Sequence, residues 1–555
     1  MNRIYYERIS KKSFWLTVCF FLVLFSVIIG RLFFLMVVEG DNLAAKATGQ
    51  RSRSLSYNQF ERGDFLDTLG RKLTGAESSC LVMFPTMAKD GDIDADAQQL
   101  ADCLQVSSSL MKGKIKNSIN QSSEPVIIKT NLSENNLAAL KDQLPYGFFV
   151  LPLAARYDSY WTACHIIGQV GLGESAGEYQ GLSGLEKQYD RYLQNRNGSQ
   201  VAALVDEKGQ QISGYGFHLL ESKTTSKAAN IRLTINADYQ RIAERAISGQ
   251  SGAAVVLDVN SGDILAICSE PQIDPYAWEE PATNDAFVNK AFALYPPAST
   301  FKIVLATAAC EEKVALPEDF VCDGAYELPD GQVVNCWKTD GHGPIDLSHA
   351  LANSCNSYFV NLGLLLGGDT IKKYSKKFGL TQQNVTGYTL NQETYIDFNN
   401  NVPGDLANAS IGEKGIRLSP LMVCSLTAAI ANGGKRVHPR LVKEIDDQDG
   451  NIITTIENIQ PEQVISQDTA KQVADMMLLA VQDGTATRVK DTILESAGKT
   501  GTSQDKGIWF TGFAPVENPK FAITVYLEEG NAGGTECAAI YKQILDDIAV
   551  LENMQ

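Results

Sequence analysis

Ser299 and Lys302 stand three residues apart in YPPASTFKIVLATAACE, the stretch from Tyr295 to Glu311. Residues three apart on a helix share a face, so the lysine amine can reach the serine hydroxyl. A serine hydroxyl is a poor nucleophile until a neighbour takes its proton. A lysine can be that neighbour only where burial or nearby positive charge disfavours its ammonium. The chemistry of such a pair is attack on a carbonyl, with the N–H groups of a helix start facing the developing oxyanion. The same residues have a plainer account. Serine is favoured at helix starts and prolines suit the entrance, so Ser299 could cap a helix and Lys302 face solvent. S-x-x-K also recurs at Ser109–Lys112 and Ser503–Lys506.

Two further stretches separate these accounts. NSCNS carries Ser354-Cys355-Asn356, an S-x-N that follows the helical approach IDLSHALA, and SAGKTGTS carries Lys499-Thr500-Gly501 followed by Thr502. S-x-N also occurs at Ser56–Asn58 and Ser118–Asn120, whereas K-T-G occurs once. S-x-x-K, S-x-N and K-T-G in that order mark serine acyl-transfer enzymes of the β-lactamase and penicillin-binding group.

Elements must bring these stretches together. NIRLTI reads as a strand, and NADYQRIAERAIS as a helix by its apolar spacing. SGAAVVLDVNSGDILAICSEP reads as a hairpin around Asn-Ser-Gly. KIVLATAAC and PLMVCSLTAAIANGG read as helices, GIWFTGFAPVENPKFAITVYLEE as two strands, and AAIYKQILDDIAVLE as a closing helix. Strands at both ends and helices between them suggest an α+β domain whose sheet is assembled from both ends. LLESKTTSKAAN, residues 219–230, is polar and suits a domain boundary.

With these stretches in hand, the chain resembles a class B, monofunctional penicillin-binding protein. RGDFLDTLGRKLTG, GLSGLEKQYDRYL, SIGEKGIRLSPLMV, DGTATRV and FTGFAPVENPKFAITVYLE fall in that family's order. Thr68 stands where an arginine is usual and Asn236 where an aspartate is common. The resemblance implies a membrane anchor, an elongated membrane-proximal pedestal, and a serine β-lactamase-like transpeptidase domain with an antiparallel sheet covered by helices on both faces. It implies a D,D-transpeptidase that attacks the D-Ala-D-Ala of peptidoglycan stem peptides and is acylated by β-lactams. Ser299 would be the nucleophile, Lys302 its base, and Ser354 the proton relay. Asn356 would hold Lys302 and the substrate amide, and Lys499 would keep the site positive. Thr500 and Thr502 would bind the donor's terminal carboxylate, Gly501 would permit close approach, and the N–H groups of Ser299 and Thr502 would form the oxyanion hole. No cofactor is implied. Residues 40–225 lack the glycosyltransferase signature of class A enzymes, so the resemblance also implies a separate SEDS-type glycosyltransferase partner. The alternative in the same superfamily is a class D β-lactamase-like hydrolase or β-lactam sensor, against which Asn356 stands. A scaffold that has lost catalysis is the third reading, against which the full motif set stands.

Phe14–Gly30 is uncharged and runs through Arg31 to Val38, long enough to span a bilayer. Arg3, Arg8, Lys11 and Lys12 precede it, so the positive-inside rule puts the N-terminus in the cytoplasm and the catalytic part outside. The expected layout is a cytoplasmic segment 1–13, an anchor 14–38, a pedestal 39–225 and a transpeptidase domain 226–555. A net charge of −17 argues against a nucleic-acid partner, which needs clustered cations. The eleven cysteines include no C-x-x-C pair and the five histidines no H-E-x-x-H pair, so spacing shows no metal site. Cys322 and Cys336 bracket CDGAYELPDGQVVNC and suit either a disulfide or two small buried thiols. His342, near the second motif, reads as a cleft-lining residue or, in preference, a loop residue bonded to backbone; Trp337 as a substrate contact or, in preference, a packed aromatic; and Glu528 as a structural strand end.

Overall fold

The computed structural model describes residues 11–39, 52–56, 62–121, 125–130, 132–141, 143–157, 161–172, 179–194, 200–204, 217–220, 228–273, 284–317, 319–390 and 395–553. One helix among them, Phe14–Met36, is long and apolar enough to cross a membrane, with mean hydropathy 2.6 and no part buried in the protein.

Thr74–Met83 pairs antiparallel with Val126–Lys129 and Phe148–Tyr157 in a three-stranded sheet. Helices Ile93–Leu104 and Ser108–Gln121 cover it, burying Leu100, Leu104, Met111 and Ile115 against Leu81 and Met83. A buried ionic knot ties this part to the rest. Glu186, fully buried, binds Arg156 Nε at 2.5 Å and Arg62 NH2 at 2.9 Å, and Arg62 also reaches Asp190 at 2.6 Å. Removing the shared carboxylate leaves Arg62 to Asp190 and Arg156 to the Gly63 carbonyl and to Asp64 at 3.6 Å, and breaking a buried ionic network in this way costs up to about 3–5 kcal/mol. Glu186→Leu is therefore expected to lower the unfolding midpoint of the detergent-solubilised protein by several degrees, read by thermal or urea denaturation.

Asn230–Leu233, expected to join the catalytic sheet, pairs instead with Phe65–Leu66 in parallel and Val442–Asp446 antiparallel. Phe65, Leu185, Leu233 and Val255 share one core, so segments on either side of position 225 are packed together. Residues 221–227 of the polar stretch lie outside the described residues.

The main sheet has strands β1 (Gly252–Asp258), β2 (Ile264–Glu270), β3 (Ala497–Thr502), β4 (Ile508–Ala514) and β5 (Phe521–Leu527). Their spatial order is β2-β1-β5-β4-β3, antiparallel throughout. The Asn-Ser-Gly hairpin thus meets the last strand of the chain, and β3 lies at the sheet edge. Side chains alternate along β4. Ile508, Phe510 and Ala514 join the core with Tyr541 and Ile544, whereas Trp509 and Phe513 join the core with Phe301 and Val304. Helices α1 (Ala237–Ile247) and α7 (Glu536–Leu551) cover the first face. Asn236 caps α1 by accepting from Asp238 and Tyr239 N–H, so this departure from the family's aspartate keeps the capping function. On the other face lie α2 (Lys302–Glu312), α3 (Leu347–Ala352), α4 (Asn356–Leu366), α5 (Pro420–Ala431) and α6 (Gln467–Asp483). Every residue of α2 from Lys302 to Ala309 is buried. A helix apolar all round belongs in a core, and Lys302 is carried into that core with it.

Candidate active site

The prolines lead into a 3-10 turn, Ala298–Phe301, and α-helix proper begins only at Lys302. Pro297 and Phe301 occupy the cap positions and no side chain caps either end, so Ser299 is not a helix cap. The turn is braced on both sides. Ala298 sits in the left-handed region at φ +49 and its N–H donates to the Gly412 carbonyl at 2.9 Å. Trp509 Nε1 donates to the Pro296 carbonyl at 3.0 Å. Ser299 itself is half-buried.

Lys302 is fully buried and donates to Asn356 Oδ1 at 2.7 Å, the Ser354 carbonyl at 2.9 Å and Ser354 Oγ at 3.3 Å. Burial pulls its amine down to about 8. No carboxylate hydrogen-bonds it among the described residues; its three partners are neutral and leave the ammonium poorly compensated.

Ser354 is also in the left-handed region, at φ 55, and is buried. A serine there costs about 1–2 kcal/mol, and the bend turns both its carbonyl and its hydroxyl toward Lys302. Asn356 begins α4 and its Nδ2 donates to the Asn335 carbonyl at 3.2 Å, which orients the amide so that Oδ1 faces the amine.

Lys499 is fully buried on β3 and donates to the Thr500 carbonyl at 2.8 Å. Burial first, and the charge of Lys302 second, push its amine well down. Two cations in one pocket compete for charge, so the site favours a single ammonium. Thr500 Oγ1 bonds Thr485 Oγ1 at 2.8 Å, and Thr502 Oγ1 accepts from Gly533 N–H at 3.3 Å. A Cβ on Gly501 would lie 3.2 Å from both the Pro297 carbonyl and Thr300 Cγ2. The glycine thus brings β3 against the Ser299 turn.

The structure therefore joins Lys302, Ser354 and Asn356 by direct hydrogen bonds and places Ser299, Lys499, Thr500, Gly501 and Thr502 on the two elements flanking them. Three features were not read from the sequence. Thr485, in DGTATRV, buttresses Thr500 and the Ala352 carbonyl. Glu413, in SIGEKGIRL, faces Gln504 N–H, and burial pushes its carboxyl up to about 7. Cys322, Cys336, His342 and Cys355 gather with their ligand atoms within 4.8 Å of one another. Their separations of 14, 6 and 13 residues match no C-x-x-C or H-x-x-x-H pair, so spacing gave no sign of the group. His342 consequently differs from the expected backbone-bonded loop residue: its Nδ1 faces Cys322 and Cys336 sulfur, each at 3.6 Å. Trp337 is 58% exposed rather than packed, because its indole N–H reaches out to the Asn353 carbonyl at 2.9 Å. Glu528 ties Ser251, Tyr295 and Lys290 together, a structural part as expected.

Residues 252–546 match the family model described as penicillin binding protein transpeptidase domain, and residues 57–218 the one described as penicillin-binding protein dimerisation domain. Stage V sporulation protein D of Bacillus subtilis is 29% identical over 97% of this chain and 85% of that protein. Peptidoglycan D,D-transpeptidase MrdA of Haemophilus influenzae is 25% identical over 95% of this chain and 89% of that protein. Penicillin-binding protein A from M. tuberculosis, solved as an imipenem acyl-enzyme complex, aligns with TM-score 0.54 and 27% identity over 58% of this chain and 80% of that one. The D,D-transpeptidase domain of a peptidoglycan glycosyltransferase from Eggerthella lenta aligns with TM-score 0.62 over 90% of this chain and 100% of that one; at 22% identity it speaks to the fold alone.

Proposed function

Because this chain belongs to the penicillin-binding protein transpeptidase family and is a serine-type D,D-transpeptidase of cell-wall synthesis, we propose that its acyl-enzyme forms on Ser299. The observation that carries this is the buried Lys302 amine, one helical turn after Ser299 and held by Ser354 and Asn356. Neutral Lys302 takes the Ser299 proton as Oγ attacks the carbonyl of the penultimate D-alanine. The backbone N–H groups of Ser299 and Thr502 receive the oxyanion. The C–N bond breaks, Lys302 returns its proton through the Ser354 hydroxyl to the departing D-alanine nitrogen, and an acyl-serine remains with Lys302 neutral again. An amine from a neighbouring stem peptide then attacks the ester, Lys302 takes its proton and delivers it to Ser299 Oγ as the acyl C–O bond breaks, and the cross-link forms. Lys499, with the Thr500 and Thr502 hydroxyls, receives the donor's terminal carboxylate. A β-lactam presents the same carbonyl and keeps its leaving group tethered, so the acyl-serine persists.

Labelling the full-length protein with a fluorescent penicillin and mapping the modified peptide by mass spectrometry tests the assignment. The adduct is expected on YPPASTFK at Ser299, and an adduct elsewhere overturns it. The acylation rate is also expected to depend on pH. Lys302 acts as its free amine, and burial lowers that amine to about 8. The rate therefore rises with pH and levels off above about 8, falling roughly tenfold for each unit below. A stopped-flow acylation profile flat between pH 6 and 8 would remove Lys302 from the base role.

The Phe14–Met36 helix anchors the protein as a single span. Its N-terminal basic residues Arg3, Arg8, Lys11 and Lys12 support an inward N-terminus and an extracytoplasmic catalytic domain. A polymerase partner of the SEDS glycosyltransferase type, contacting the anchor and the membrane-proximal region, completes this reading; purification from mild detergent without such a partner counts against it.

A further inference from the structure

We propose that Cys322, Cys336, His342 and Cys355 form a tetrahedral zinc site that fastens the loop over the active site to the S-x-N segment. The four ligand atoms lie within 4.8 Å of one another, and Cys322, Cys336 and Cys355 are buried. Zinc bonds thiolate sulfur at about 2.3 Å and imidazole nitrogen at about 2.0–2.1 Å, so a tetrahedral site has sulfur–nitrogen edges of roughly 3.5–3.6 Å. The two observed edges, His342 Nδ1 to Cys322 and to Cys336 sulfur, are 3.6 Å each. These two edges already have the length a bound zinc would set, and the remaining donors lie within 4.8 Å. Three thiolates and one imidazole suit zinc and disfavour magnesium or calcium, which prefer oxygen.

The backbone is compacted in the manner of a metal knuckle. Val321–Cys322 pairs antiparallel with Gly343–Pro344, which sets Cys322 against Gly343, next to His342. Gly341 has φ +78, and a Cβ there would lie 2.2 Å from the Cys322 carbonyl. Gly324 has φ +102, and a Cβ there would lie 2.0 Å from the Thr339 carbonyl. His342 Nε2 is buried without a hydrogen-bond partner, so the ring is held by its Nδ1 side and by its edge-on contact with Trp337. All three cysteines are free thiols.

The fourth ligand gives the site its consequence. Cys355 lies between Ser354 and Asn356, the two residues that hold Lys302. The other ligands belong to the loop whose Asn335 carbonyl receives Asn356 Nδ2 and whose Trp337 reaches the Asn353 carbonyl. A metal bonded to both sides therefore fixes the left-handed bend at Ser354. Cys322, Cys336, His342 and Cys355 are positioning residues for acylation, and that half of the inference rests on the assignment of Ser299 and Lys302 above.

The test uses full-length protein in detergent, dialysed against zinc under reducing conditions and then freed of loose metal. Elemental analysis is expected to give about one zinc per chain, and cobalt(II) in its place to give the visible absorption of a tetrahedral cobalt thiolate. Cys322→Ser, which leaves the S-x-N residues themselves unaltered, and His342→Ala are each expected to lose the metal. Should a variant misfold, the cobalt spectrum of the unaltered chain still decides. Chelation is expected to slow penicillin acylation about tenfold or more, with recovery on adding zinc. Substoichiometric zinc with no cobalt thiolate band, or a disulfide among the three cysteines in the reduced preparation, overturns the site. Full zinc occupancy with acylation indifferent to chelation overturns the positioning role. Metal content does not depend on where the acyl group forms, so failure of the Ser299 assignment would be seen separately.

Discussion

Lys302→Met cuts the rate of penicillin acylation by about 10²–10⁴-fold, the usual contribution of a positioned proton acceptor, and leaves the protein folded. Methionine replaces the amine with a chain of similar volume, so the core around α2 stays filled. The amine is fully buried and lowered from 10.5 to about 8. Keeping it charged at neutral pH therefore costs the fold about 3 kcal/mol, a cost that fades as the pH rises through 8 toward 10.5. Methionine removes that cost and also removes three hydrogen bonds, to Asn356 and to the Ser354 carbonyl and hydroxyl. The two nearly offset, so the melting temperature is expected to move by no more than a few degrees while acylation collapses. Parallel thermal shift and acylation kinetics on one preparation separate the effects. A variant that keeps the wild-type rate would sink the base assignment, and one that simply unfolds would show that Lys302 is needed for the fold.

Gly412→Ala is expected to disable the site from outside it. Gly412 has φ +76, and an added Cβ would lie 2.1 Å from the Ala298 carbonyl. The contact is with backbone, which cannot swing away as a side chain could. Either the turn carrying Ser299 or the segment carrying Gly412 must move, and the left-handed geometry adds about 1–2 kcal/mol for a residue with a Cβ. A displacement of about 1 Å at a reacting group can cost roughly 100-fold in rate. Fluorescent penicillin labelling of Gly412→Ala is expected to fall by that order, with a lower unfolding midpoint. Gly367→Ala makes the control, because Gly367 also has φ +77 but a Cβ there meets nothing within 4 Å. Equal losses in both variants would show that backbone strain alone, rather than the Ala298 contact, is responsible.

Much of the catalytic sheet could be read directly from residue order. The largely apolar run Ile508–Ala514 marks a strand buried on both faces, and the Asn-Ser-Gly turn marks β1 and β2 as a hairpin. The three motif stretches were also legible, because each combines unusual chemistry with a turn or helix start. The context that gives them their geometry was not. Nothing in NSCNS announces that Ser354 bends into the left-handed region, since that bend is imposed by bonds to Leu351 and Lys302. Glu413 reads as an ordinary surface glutamate, and only the fold buries it. NIRLTI has the right pattern for a strand but not the information for its partner. Phe65, far upstream, claims it because both Phe65 and Ile231 need the same core. The cysteine–histidine group escaped notice for the same reason, as its members meet only after two short strands and a helix start have been placed.

The sheet order also governs when activity can begin. β1 and β2 are made early but β1 pairs with β5, and Ser299 lies against β3, which follows almost two hundred residues later. On the function and orientation proposed above, a chain still crossing the membrane would hold Ser299 outside while β3, β4 and β5 are yet to arrive. Contacts so distant along the chain close late in folding. On that reading the site is incomplete until β3, β4 and β5 have followed, and a chain ending before β3 would lack Lys499, Thr500 and Thr502.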